Sequence, residues 1–140
     1  MKRITVLLAD DNRVVRTEFR KILELENDLE VVGEAKNGHQ AVAMVNKLLP
    51  ALVLMDLAMP VLNGIQATRQ ILKAVPATLV LMLSAYNEEA YIEAAINSGA
   101  MGYLIKYTAA NSVCPAIREV HKGNIFFSPS IPKRLHKRKQ

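Results

Sequence analysis

The sequence has few of the features expected of a secreted or membrane protein. Cys114 is its single cysteine, so the chain can form no internal disulfide and no zinc site made of its own cysteines. Its first apolar run, Ile4–Ala9, follows a short basic amino terminus and is closed by an Asp-Asp pair. That run is too short for a signal peptide or a membrane span. These absences predict a cytoplasmic protein that does not contact a membrane.

The folded part of the chain also lacks an excess of charge of either sign. The net charge is +5, but five of the 18 basic residues are Lys133, Arg134, Lys137, Arg138 and Lys139, which leaves 13 basic residues against 13 acidic ones. Hydrophobic residues make up 51% of the 140, which is enough apolar material for one core. We therefore predict one domain over residues 1–124. Residues 125–140 are expected to be a basic tail or a truncated linker toward a DNA-binding domain that this chain does not contain.

Short apolar runs alternate with longer amphipathic stretches, and this alternation predicts the fold class. The runs are apolar on nearly every residue, which is typical of strands covered on both faces in a parallel sheet. The five predicted strands are Ile4–Ala9, Leu29–Gly33, Leu52–Met55, Leu79–Leu83 and Gly102–Ile105. An alternating order with right-handed crossovers gives an α/β fold, a (βα)5 flavodoxin-like doubly wound parallel sheet with strand order 2-1-3-4-5.

Apolar residues recur at helical spacing between these strands. In the first helix, Val14, Val15, Phe19, Ile22 and Leu23 form the apolar side, and the opposite side is predicted to carry Arg13, Arg16, Arg20 and Lys21. The other predicted helices are Asn37–Leu49, Asn63–Val75, Glu88–Ser98 and roughly Ser112–Lys122. The last one is expected to be short and to start near Ser112, because proline is tolerated only in a first helical turn and Pro115 lies close by.

Polar residues stand where four of the predicted strands end. Strand one is followed by Asp10 and Asp11, strand three by Asp56, strand four by Ser84 and strand five by Lys106. Glu34 follows strand two, which the strand order puts at the sheet edge. Ligands of open α/β sheets bind at the carboxyl ends of the strands. We therefore expect three carboxylates, a hydroxyl and an ammonium to converge at one rim.

Three neighbouring carboxylates predict a cation site, because they repel one another unless their pKa values rise or a cation neutralises them. Ligands that are all oxygen favour Mg²⁺, which often bridges carboxylates to a phosphate. A carboxylate can also act as a nucleophile toward phosphorus, and Asp56 is the central candidate. Lys106 is expected to pair with the phosphate, and the Ser84 hydroxyl to donate a hydrogen bond to it.

These residues resemble the receiver domain of bacterial two-component response regulators over essentially residues 2–124. The similarity is carried by segments around each strand end. They are Leu8-Ala9-Asp10-Asp11, the stretch from Leu54-Met55-Asp56 through Met59-Pro60 to Asn63-Gly64, Leu83-Ser84-Ala85, and Gly99 through Lys106. Gly102-Tyr103-Leu104-Ile105-Lys106 and Gly123 through Pro129 are most similar to the NarL or LuxR-type branch.

The resemblance implies a phosphorylation switch. Asp56 would take a phosphoryl group from a phosphohistidine of a sensor histidine kinase, catalysing its own phosphorylation and slow dephosphorylation. Mg²⁺ would be held by Asp11, Asp56 and the Ala58 carbonyl, with Asp10 acting through a water. Ser84 would move toward the phosphate and Tyr103 would swing inward, which alters the surface of helix four, strand five and helix five. Phosphorylation could produce a homodimer, and DNA would be bound only through the absent helix-turn-helix domain.

Other interpretations remain open. Taken singly, each of these acids could be a helix cap and Lys106 a solvated surface lysine. The chain could also be a stand-alone receiver that acts by protein–protein contacts. A phosphohydrolase of the haloacid-dehalogenase type would need a second acid two residues after the nucleophile, where this chain has Ala58. Sequence-specific DNA binding by the chain itself lacks a helix-turn-helix.

Overall fold

A computed structural model describes residues 2–138; the predicted basic position Lys139 lies outside this range. The strands are β1 (Ile4–Ala9), β2 (Leu29–Ala35), β3 (Leu52–Met55), β4 (Leu79–Ser84), β5 (Gly102–Ile105) and β6 (Phe126–Phe127). The helices are α1 (Arg13–Glu24), α2 (Gly38–Leu48), α3 (Gly64–Ala74), α4 (Glu89–Asn97) and α5 (Val113–His121). Single 3-10 turns lie at Lys106–Thr108 and Lys133–Leu135. Strands and helices therefore alternate as predicted up to α5.

The sheet has six parallel strands in the order β2-β1-β3-β4-β5-β6. The predicted α/β class and the order of the first five strands are confirmed, but the predicted number of strands is wrong. The sixth strand pairs Phe126 with Gly102 and Phe127 with Tyr103. Two residues are too few to show a strand period, so the pattern of the sequence did not reveal this strand.

Side chains alternate between two cores on opposite faces of the sheet. In β1, Leu7 and Ala9 face the core covered by α2, α3 and α4, whereas Val6 and Leu8 face the core covered by α1 and α5. Both faces are therefore buried, which explains why these strands are apolar on almost every residue. None of the helices within residues 2–138 has the length and apolar character needed to cross a bilayer.

Asparagine side chains cap three helices. Asn12 accepts hydrogen bonds from the N–H groups at the start of α1, and Asn37 and Asn63 cap α2 and α3. The late, short α5 is confirmed, with Pro115 in its first turn, where a missing N–H leaves no helical hydrogen bond unmade. Ser112 precedes this helix but makes no side-chain cap bond.

The segment from 125 to 138 packs against the fold. The Ser128 hydroxyl accepts a 2.9 Å hydrogen bond from the Ile105 N–H, and Ser128 N donates to the Tyr103 carbonyl at 3.0 Å. Ile131 and Leu135 are buried in the core next to α4. Arg134, at the end of this segment, forms a two-pronged ion pair with Glu89 of α4. The outer edge of β5 is therefore covered by the chain that follows α5.

Val61 lies in the loop between β3 and α3 with φ of 70°, in the left-handed region. A branched side chain is disfavoured there, while asparagine tolerates it. Because Val61 is 82% exposed and loses little packing, we expect Val61→Asn to raise the free energy of unfolding by about 1 kcal/mol. Urea unfolding measures this, with Val14→Asn as the control at an exposed valine of ordinary helical φ. A Val61→Asn midpoint at or below that of the parent would contradict the expectation.

Candidate functional site

The carboxylates of Asp10 and Asp56 meet because their strands are neighbours. Ala9, the last residue of β1, pairs with Met55, the last residue of β3, and Asp56 N donates to the Ala9 carbonyl at 2.8 Å. Both acids are buried, whereas Asp11 is exposed. One carboxylate oxygen from each of the three acids lies within 4.8 Å of the others. The predicted acidic cluster therefore forms at one rim of the sheet.

Lys106 approaches this cluster from the end of β5. Its Nζ lies 2.7 Å from Asp10 Oδ2 and 3.3 Å from Asp56 Oδ1, and its side chain is only 17% exposed. Burial lowers the pKa of Lys106, but its ion pairs with the Asp10 and Asp56 carboxylates outweigh this and raise it. The ammonium is therefore fully charged at neutral pH and bridges two of the three acids.

One ammonium does not neutralise three acids. Burial and then the negative charge of Asp10 raise the pKa of Asp56 to about 6, and the Lys106 ammonium offsets only part of this rise. Asp10 Oδ2 is also buried; its partner is the Lys106 ammonium 2.7 Å away, and it accepts no hydrogen bond of good geometry. Three acids that share one ammonium leave a negative charge that a bound cation could neutralise.

The donors present fit a hard divalent cation. They are carboxylate oxygens, partly buried and within reach of one another, and no soft ligand lies among them. Ala58, whose carbonyl was predicted to be a further ligand, lies two residues after Asp56 in the β3–α3 loop and is exposed. The chain could therefore hold an ion such as Mg²⁺ at this rim.

Gly64 fixes the backbone that carries Asp56. A Cβ atom at Gly64 would lie 2.1 Å from the Asp56 carbonyl oxygen, so only glycine allows α3 to begin this close to the end of β3. The Gly64 N–H also donates to the Leu57 carbonyl at 2.8 Å. The glycine therefore holds the loop after Asp56 against the first turn of α3.

Ser84 and Tyr103 act on the same residue of the loop after β4. The Ser84 hydroxyl accepts a 3.0 Å hydrogen bond from Tyr86 N, and the Tyr103 hydroxyl donates a 2.7 Å hydrogen bond to the Tyr86 carbonyl. Tyr103 is fully buried, which raises the pKa of its hydroxyl to about 12. Within residues 2–138, no hydrogen bond or ion pair links Ser84 to Asp56 or Lys106.

Comparison with known proteins decides the family. The family model described as "Response regulator receiver domain" matches residues 6–118. The chain belongs to the response regulator receiver family. Receiver domains are signalling domains rather than metabolic enzymes, in agreement with the predicted resemblance.

Several relatives of this receiver domain are transcriptional regulators of the LuxR or NarL type. It is 35% identical to the transcriptional regulatory protein LnrK of Bacillus subtilis over 94% of this chain and 60% of LnrK. A LuxR-family response regulator from Aurantimonas sp. SI85-9A1 superimposes with a TM-score of 0.89 at 30% identity, covering 93% of each chain. The receiver domain of RcsB from Salmonella enterica serovar Typhimurium, in the presence of phosphomimetic BeF3-, gives a TM-score of 0.86 at 27% identity, covering 96% of this chain and 99% of that one. RcsB has also been solved as dimers bound to DNA.

The curated relatives are longer than this receiver chain, which spans about three fifths of the length of LnrK. What LnrK or RcsB does through its remaining residues is therefore a property of those proteins.

The sequence pattern predicted neither the burial of Arg16 at the rim of this receiver domain nor its pairing with Glu34. Arg16 was assigned to the solvent side of α1, but it is only 7% exposed. The spacing of Arg16, Phe19 and Leu23 could have revealed this, because it puts all three on the core side of the helix. A buried arginine requires an acidic or carbonyl partner, and Glu34 at the end of β2 is one.

Proposed function

We propose that this receiver domain accepts a phosphoryl group on Asp56 from a sensor histidine kinase and thereby switches a surface formed by α4, β5 and α5. The observation that carries the proposal is the buried pair of Asp10 and Asp56 bridged by Lys106 at the carboxyl ends of neighbouring strands. We propose that this phosphoryl transfer takes place in the cytoplasm, since the single, unpaired Cys114 fits a reducing compartment.

In the proposed reaction, an Asp56 carboxylate oxygen attacks phosphorus while the bond between phosphorus and the donor nitrogen or oxygen breaks. The product is an acyl phosphate on Asp56, and the electron pair of the broken bond stays with the donor. Lys106 is already placed beside Asp56 Oδ1, where its charge can stabilise the transferring group. Bound Mg²⁺, held by Asp10, Asp11, Asp56 and the Ala58 carbonyl, would supply further positive charge to the phosphoryl oxygens. The chain's own residues therefore catalyse both formation and slow hydrolysis of the acyl phosphate.

The proposed switch consists of Ser84 and Tyr103. Both hold the backbone of Tyr86, one at its N–H and the other at its carbonyl. If the Ser84 hydroxyl turns toward the phosphoryl group, it must release Tyr86 N, so the loop before α4 changes its hydrogen bonds. Tyr103 can follow this loop because its hydroxyl is bonded to the same residue.

The proposed output is control of transcription. Residues 1–124 would act as the phosphoacceptor unit, and residues 125–140 would lead toward a DNA-binding domain, with homodimerisation on phosphorylation. The name of LnrK and the DNA-bound dimers of RcsB support this proposal.

Incubation with acetyl phosphate and Mg²⁺ tests the proposed chemistry. Intact-mass spectrometry should show the addition of one phosphoryl group, because one carboxylate is the acceptor. Borohydride reduction of the acyl phosphate, followed by peptide mapping, should locate the modified residue at Asp56. The matched control replaces Mg²⁺ with EDTA and should show no addition. Modification of any other residue, or addition in EDTA at the same rate, would overturn the assignment.

A further inference from the structure

The acidic pair after β1 is held in place by a buried arginine on the helix that follows. Arg16 Nη1 donates a 2.7 Å hydrogen bond to the Asp10 main-chain carbonyl, in a buried position. On the other side of the same residue, Asp10 N donates to the Ala35 carbonyl of β2 at 3.0 Å. The backbone of Asp10 is therefore fixed both by its own neighbouring strand and by a charged side chain of α1.

The arginine is itself held by Glu34. Arg16 Nε donates to Glu34 Oε1 at 2.9 Å, and Arg20 Nη1 donates to Glu34 Oε2 at 2.8 Å. Burial raises the pKa of Glu34, but the hydrogen bonds from Arg20 and Arg16 outweigh it, so that the pKa is lowered. Glu34 is thus ionised and accepts hydrogen bonds from two arginines. Of these two, only Arg16 makes a described contact with Asp10.

We propose that Arg16, oriented by Glu34, is a positioning residue that sets the conformation of Asp10 and Asp11 for binding a divalent cation. The inference rests on the proposed function, since it assigns the cation to the same acids. Mg²⁺ requires nearly ideal octahedral geometry, so a small shift of a ligand backbone weakens its binding. Groups that orient metal ligands typically contribute about 10- to 100-fold to metal affinity.

The direction in which Mg²⁺ affinity changes when Arg16 is removed distinguishes a positioning role from a purely electrostatic one. Removing a positive side chain close to a cation site should strengthen cation binding if only Coulomb repulsion mattered. Positioning predicts the opposite result, because the acidic loop loses its fixed geometry. Arg20 provides the matched comparison: it also donates to Glu34, but its other described partner is Glu24 on the exposed side of α1.

The experiment measures Mg²⁺ affinity by isothermal titration calorimetry for the parent, Arg16→Met, Arg20→Met and Arg16→Lys. We expect Arg16→Met to bind Mg²⁺ about 10- to 100-fold more weakly and Arg20→Met to stay within about twofold of the parent. Arg16→Lys should fall between them, because one ammonium can reach either the Asp10 carbonyl or Glu34 but cannot span both as a guanidinium does. Urea unfolding in EDTA records the stability of each variant separately.

Unchanged or tighter Mg²⁺ binding by Arg16→Met, together with lower stability in EDTA, would show a purely structural role and overturn the inference. If Arg16→Met does not fold, Mg²⁺ binding by Glu34→Gln is measured instead, since this variant keeps an oxygen acceptor but loses the ion pair with Arg16. Weaker Mg²⁺ binding by folded Glu34→Gln supports the inference, and unchanged binding overturns it. A parent protein that binds no Mg²⁺ would overturn the proposed cation site itself, and the inference with it.

Discussion

Replacing Asp56 with asparagine is expected to abolish phosphoryl acceptance and, in EDTA, to make the protein more stable. The first effect follows because an amide has no carboxylate oxygen to attack phosphorus. The second follows from the pKa of Asp56, which is about 6 in the folded protein against an ordinary value of 3.8. The Asp56 carboxyl therefore binds its proton more tightly in the folded state than in the unfolded state. The stability that this protonation contributes is present at acidic pH and is lost as the pH rises through about 6.

At pH 7.5, the ionised Asp56 should destabilise the metal-free fold by up to ~3 kcal/mol relative to a neutral side chain. The gain from Asp56→Asn should be about 1–3 kcal/mol; the upper value is already net of the ion pair with Lys106, which lowers the pKa of Asp56. Urea unfolding in EDTA at pH 7.5 and at pH 4 measures this, and the gain should be small at the lower pH. Intact mass after acetyl phosphate treatment measures acceptance. Equal stability at pH 7.5, or continued phosphorylation, would contradict the assignment of Asp56.

Replacing Lys106 with methionine should have the opposite effect on stability. The change removes the ammonium that lies between Asp10 and Asp56 and leaves two buried carboxylates facing each other. Removing one member of a buried ion pair costs about 3–5 kcal/mol, and we expect a loss of about 2–4 kcal/mol here because the lysine is partly exposed. The loss should shrink at pH 5, since the pKa of Asp56 rises further without the lysine and the acid takes up a proton.

Urea unfolding at both pH values, with EDTA and with excess Mg²⁺, tests this expectation. Mg²⁺ should restore part of the lost stability, because a bound cation replaces some of the missing positive charge. Lys122→Met is the control: Lys122 pairs with Glu119 at the surface with 67% of its side chain exposed. Its loss should change the stability by less than about 0.5 kcal/mol. A Lys106→Met protein as stable as this control at pH 7.5 would show that the ammonium does not hold the acids together.

The acidic rim could be predicted from the sequence because it depends on topology alone. In a parallel sheet, residues that follow neighbouring strands meet at one edge, so Asp10 after β1 and Asp56 after β3 come together. Lys106 follows β5, beyond β4, and its long side chain reaches both acids from there. The contacts of Ser84 and Tyr103 with Tyr86 could not be predicted in this way. They depend on the path of a loop, which strand periodicity does not specify.

The predominance of basic residues was misleading about packing at two places. Arg16 looked like part of a solvated face, yet it is buried because Glu34 and a carbonyl compensate its charge. The basic residues after Asn124 suggested a solvated tail; those described are indeed exposed, but Ile131 and Leu135 between them pack into the core next to α4. In both cases a partner distant in the sequence decides the outcome, and patterns of local residues carry no information about such partners.

The short strand β6 has a further consequence for the behaviour of the protein in solution. Without it, β5 would offer a row of unpaired backbone donors and acceptors, including the Ile105 N–H that Ser128 now binds. Such an edge is a template for strand addition and aggregation. With two residues of β6 in place, the new edge is too short to recruit another chain. A fragment cut at Asn124 would lose this cover, so the protein is best purified and stored with its carboxyl-terminal segment intact.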